Sequence, residues 1–114
     1  MTGAKRRRRM EQLMLEAEGY PDRWFWLSFA DPSRPRGSQF LGVSIVKART
    51  YFEATMRAHA LGINPGGEVL GYDYKELWGA PEPPEVHRHR LMSRLELVEA
   101  GYEEAAEPAQ GRPN

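Results

Sequence analysis

The stretch 50–62 restricts this chain more than any other. Thr50-x-x-Glu53 is a capping box: the threonine hydroxyl can accept from the amide of residue 53, and the Glu53 carboxylate can return to the amide of residue 50. Tyr51, Thr55, Ala58 and Leu61 then recur on one side, with Phe52, Met56 and Ala60 beside them. Gly62 stands where a left-handed C-cap residue is expected, and Ile63 follows as its apolar clasp. The spacing predicts a helix over 50–61. What flanks it reads as strand on both sides, so the chain must be α+β.

Upstream, Trp24-Phe-Trp-Leu-Ser-Phe29 is dense in β-favouring residues and predicts a strand over 23–30. Asp31 to Ser38 holds two prolines and a glycine and reads as a loop. Residues 39–48 read as a second strand, antiparallel to the first. Strict alternation puts Phe25, Leu27 and Phe29 on one face, matched with Leu41, Val43 and Ile45. The opposite face carries Trp24, Trp26 and Ser28, with Phe40, Gly42, Ser44 and Val46. Downstream, Asn64-Pro-Gly-Gly67 is a turn, and residues 68–74 read as a third strand. The expected core is Phe25, Leu27, Phe29, Leu41, Val43, Ile45, Leu61 and Val69.

The order is ββαβ, a small antiparallel sheet with one helix on a face, flanked by N- and C-terminal helices. Four stretches follow: 1–19, a basic helix or tail with Met10, Leu13, Met14 and Ala17 at helical spacing; 20–80, the core; 81–106, a Pro-rich linker and a helix over 85–106 with Leu91, Leu95, Val98 and Tyr102 as its stripe; and 107–114, a disordered tail.

Composition narrows the function classes. There is no cysteine, which removes disulfides, thiol nucleophiles and thiolate metal sites and favours an intracellular setting. No apolar run approaches the roughly 20 residues that cross a bilayer, and no apolar stretch follows the basic start, so neither a membrane partner nor a signal peptide is expected. Lys plus Arg and Asp plus Glu are 16 each, whereas dedicated nucleic-acid binders carry a basic excess.

No catalytic constellation emerges. Serine lies in no nucleophile elbow, Asp31 and Asp73 are unlinked, and Asn64-Pro-Gly-Gly67 lacks the Gly-Lys-Ser/Thr of a phosphate loop. His87 and His89, two residues apart on a helix, would point away from each other, and no cofactor or metal is expected.

Two binding features remain. The first is the aromatic second face: Trp24, Trp26, Phe40, Tyr72 and Tyr74. It must be covered by the chain's own terminal helices, by a second copy or another protein, or by a stacked base. The second is a set of anion-binding candidates: Arg6, Arg7, Arg8 and Arg9 near the start, and Arg34 and Arg36 on the 31–38 loop. The leading reading is a non-enzymatic module that engages a protein partner or self-associates. The alternative is a nucleic-acid or nucleotide binder using the arginines and the sheet aromatics.

Trp26-Leu-Ser-Phe-Ala-Asp31, Phe40-Leu-Gly-Val-Ser-Ile-Val46 and Leu61-Gly-Ile-Asn-Pro-Gly-Gly-Glu-Val69 together resemble a group of small uncharacterised proteins of phages, prophages and actinobacteria. The resemblance covers about residues 23–74, and the Gly-Ile-Asn-Pro-Gly-Gly-Glu-Val string is its most specific part. It implies a cytoplasmic, phage-encoded protein and carries over no activity and no catalytic residue; for a phage-encoded module of the leading kind, one that modulates a host factor, the protein partner would be that host factor.

Overall fold

The computed structural model describes residues 19–102. The expected N-terminal helix with Arg6 to Arg9, and the tail 107–114, lie outside the described residues.

The sheet begins as an antiparallel hairpin of β1 (Arg23–Ala30) and β2 (Phe40–Ala48), with Trp26 opposite Ile45 and Phe25 opposite Val46. The helix α1 (Tyr51–Ala60) follows, then β3 (Glu68–Asp73), which pairs antiparallel with β1. Beyond it come a short helix α2 (Tyr74–Trp78), a 3₁₀ turn (Glu85–His87), a two-residue strand β4 (Leu91–Met92) and a helix α3 (Arg94–Glu99). The sheet has four strands in the order β3-β1-β2-β4, and every strand pairing is antiparallel. The fold class is α+β.

α1 is held at both ends by its own sequence. The Thr50 hydroxyl accepts from the Glu53 amide at 3.1 Å. The Glu53 carboxylate does not return to Thr50. It accepts from the Arg49 backbone amide at 2.8 Å and pairs with the Arg49 guanidinium at 2.6 Å. That bond to Arg49 holds the Glu53 carboxyl below the usual range, against the cost of its burial. At the other end, Gly62 sits at φ 74°, and the amides of Gly62 and Ile63 turn back to the carbonyls of His59 and Ala58. This closure ends the helix before Leu61, which stands 49 % exposed instead of joining the core. Ile63 packs in its place.

Beneath α1 lie Phe25, Leu27, Phe29, Val46 and Ala48, packed against its Ala54 and Ala58, with Leu41 and Val69 partly buried beside them. Val43 and Ile45 are on the opposite face, against the expectation from strict alternation. The cause is a β-bulge. Phe29 faces Gly42 while Ala30 faces Phe40, so Leu41 is an extra residue and the parity of β2 flips after it. Gly42 is required there: its φ is +131°, and a Cβ would stand 2.8 Å from both the Met92 carbonyl oxygen and a Leu91 methyl.

The second face is covered by the chain itself. β3 stops one residue earlier than expected because Asp73 caps the next helix, accepting from the Glu76 amide at 3.1 Å. α2 then swings Tyr74, Leu77 and Trp78 over the tryptophans. The single helix expected over 85–106 is absent: His89 adopts φ +54°, and Ser93 starts a new helix with a full capping box to Glu96. Met92, Leu97 and Tyr102 complete this layer. Burying each large side chain contributes on the order of 1.5–3 kcal/mol, so the sheet has two cores rather than one. No helix among the described residues is long and apolar enough to cross a membrane.

Candidate binding edge and charged cleft

The five aromatic candidates separate. Trp24, Trp26 and Tyr74 are buried, and Phe40 is half-buried against the same cluster. Tyr102 plugs the layer over Trp26. Its ring lies 5.0 Å from Trp26, 4.7 Å from Trp78 and 5.3 Å from His87. Its hydroxyl meets that of Tyr74 at 2.6 Å and the His87 Nδ1 at 2.9 Å. Burial, reinforced by the Tyr74 hydrogen bond, holds the Tyr102 phenol far above its ordinary value. Burial and then Arg90 push the His87 imidazole down. Both groups are therefore neutral near pH 7, and the network packs and orients rings. Tyr102 reaches this place through Gly101, at φ 91°, which closes α3 as Gly62 closes α1.

Tyr72 is the exposed one of the five, at 38 %, and it lies on β3. This strand has a neighbour on one side only among the described residues. Its pairing with β1 puts Leu70, 47 % exposed, and Tyr72 on the tryptophan face, beside Ser28 and Trp26. On the other face the Tyr51 ring lies across Gly71, and its hydroxyl donates to the Val69 carbonyl at 3.3 Å. A Cβ at Gly71 would fall 1.9 Å from the Tyr51 ring, so the ring lies across the strand only because residue 71 has no side chain. The result, among the described residues, is an unpaired strand edge with apolar groups above and below it. Lysine, proline and bulges, the usual guards of such an edge, are missing from β3.

Trp24 floors a charged cleft of about 270 Å³ at the start of β1. The Arg23–Asp73 ion pair, at 3.3 Å, lines it, with Lys47, Lys75, Asp22 and Glu82. The Lys47 ammonium stands 5.8 Å, and the Arg88 guanidinium 5.0 Å, from the Trp24 ring centre; the His89 ring centre is 5.3 Å away. This cation cluster was not foreseen. Its members come from separate elements, and only the pairing of Trp24 with Lys47 across β1 and β2 could have hinted at it.

Arg34 and Arg36 are exposed on the loop after Ala30, at the other end of β1 from Trp24. Six residues of strand separate the ends, about 20 Å, so these arginines and Trp24 do not share a site. Asp31 organises the loop, accepting from both the Ser33 amide and hydroxyl. Among the described residues no three His, Asp or Glu side chains gather as metal ligands. No family model, curated protein or solved structure matches this chain.

Proposed function

We propose that this chain is a small, non-enzymatic cytoplasmic module that binds a protein partner, and that it does so by taking a strand of that partner onto the free edge of β3. The observation that carries the reading is the bare edge itself, with Leu70 and Tyr72 on one flank and Tyr51 on the other. Backbone hydrogen bonds would supply affinity, and the apolar flanks would read alternate side chains of the incoming strand. The resemblance over 23–74 supports phage origin, and the partner of a phage-encoded module would then be a host factor.

The test is capture of the partner by wild type and by the Leu70→Lys/Tyr72→Lys double variant, followed by amide exchange of 68–73 in the complex. Both side chains are exposed, so the variant should fold with a stability change within about 0.5 kcal/mol. Loss of capture by the variant and slowed exchange in β3 are expected. Equal capture by the folded variant would overturn the reading.

A further inference from the structure

We propose that Lys47, Arg57, Arg88 and His89 form a binding site for a compact phosphate-type oxyanion, at the outer edge of β2 and separate from the β3 edge. Three elements converge on one short stretch of backbone. Arg57 reaches from α1 and donates to the Lys47 carbonyl at 2.5 Å. The His89 amide donates to the Ile45 carbonyl at 2.8 Å, and its Nε2 faces the Lys47 amide at 3.5 Å. Arg88 bridges to Ile45 and stacks, with Lys47, on Trp24.

The charges around this point do not balance. Arg88 is paired with Glu82 at 3.1 Å. Among the described residues neither Lys47 nor Arg57 has a carboxylate at ion-pair distance. Glu53, the acid on α1, is paired with Arg49 and acts on Arg57 only through a weaker, longer-range attraction. In the adjoining cleft Asp73 is taken by Arg23, and Asp22 and Lys75 line it with one charge of each sign. Covering a strand edge needs one donor and one acceptor, which neutral side chains supply; it does not need three cations round an imidazole. Lys47, Arg57 and His89 are exposed, so the donors not used in these contacts are open to solvent. His89 is held in the left-handed region, which presents its ring against Trp24 at some cost in backbone strain. Its pKa is pushed down by burial first and then by Arg57, Arg88 and Lys47. An oxyanion with two charges would relieve that repulsion and accept charge-assisted hydrogen bonds from the same groups.

The experiment is a titration of the full chain with inorganic phosphate at constant ionic strength, followed through the His89 ring resonances, with chloride as the control and a phosphomonoester as a second arm. Saturable shifts at His89 are expected, with its pKa rising by roughly half a unit or more on binding. Arg57→Gln and Lys47→Gln should each weaken binding about fivefold or more, the loss expected for one charge-assisted contact, while Arg34→Gln should leave it unchanged. Thermal melts establish that the variants fold, and Lys47→Gln leaves the Arg57 bond to the backbone in place. Tighter binding of the phosphomonoester identifies a phosphorylated ligand; equal binding identifies the free ion. Identical shifts with chloride, or undiminished binding by both folded Gln variants, would overturn the site. The Leu70→Lys/Tyr72→Lys variant should bind phosphate normally, so failure at one edge is distinguishable from failure at the other.

Discussion

The two long edges of this sheet start from the same backbone chemistry and are finished differently. Along β2, the two residues of β4 pair only with Val43 and Ser44. From there the chain covers the edge with side chains and single amides: His89 on Ile45 and Lys47, and Arg57 on Lys47. Along β3 the side-chain bond in evidence is the Tyr51 hydroxyl on Val69. Exposed edges invite pairing with other chains, and proteins usually guard them. Among the described residues one edge is guarded with this much apparatus while the other is left apolar and unpaired, and on the proposed reading this separates a side that must stay closed from a side that can accept a strand.

The strongest way to break this comparison is to unseat β4. Gly42→Val adds a side chain where even a Cβ meets the Met92 carbonyl and Leu91 at 2.8 Å, at a φ that valine rarely adopts. The loss of stability should be about 3 kcal/mol or more, from strain and displaced packing together. Denaturant unfolding measures it. A variant that stays folded should expose the β2 edge and self-associate on sizing columns. A monomer of wild-type stability would show that β4 guards nothing.

Acid tests the same edge more gently. His87 and His89 both have folded-state pKa values below the ordinary 6.5. As pH falls through 6.5, the unfolded chain takes up protons that the folded chain refuses, so stability is full above that pH and declines below it. Below about 4.5 the lowered carboxyls of Glu53 and Glu96 add to the loss with the same sign. Protonated His89 can no longer accept from Lys47. Protection of the Lys47 amide, after correction for the intrinsic slowing of exchange in acid, should therefore fall between pH 7 and 5, while the amides of 68–73 show no matching step. His89→Gln should flatten the stability change between those pH values; an unaltered slope would place the effect on His87 alone.

The same division separates what could be read in the sequence from what could not. The Thr50 cap, the Gly62–Ile63 closure and the Phe25, Leu27 and Phe29 face are signalled by residues a few positions apart, and each is in place. Val43 and Ile45 were assigned to the wrong side because a bulge reverses parity without changing composition. The isolated Gly42 amid β-branched residues was the available sign. The long C-terminal helix was misread because Leu91, Leu95, Val98 and Tyr102 fall at helical spacing, yet Ser93-x-x-Glu96 within it is itself a helix start. Of the aromatic candidates, Tyr72 alone stays well exposed, because which strand lies at an edge is decided by pairing and not by any local pattern. The cation cluster joins residues 47, 57, 88 and 89, and nothing local links them.

The smallest effect, on the open edge, is the most discriminating. Gly71→Ala puts a methyl carbon 1.9 Å from the Tyr51 ring. That ring is 42 % exposed, so it can swing into solvent and give up its bond to Val69. Alanine is favoured over glycine in a strand by roughly 0.5–1 kcal/mol, which offsets most of that lost contact. Net stability in a thermal melt should therefore hardly move. Partner binding should nevertheless fall, because one apolar flank of β3 has been lifted away. Should the melt drop by as much as for Gly42→Val, Tyr51 would be a guard of β3, and the two edges would be alike after all.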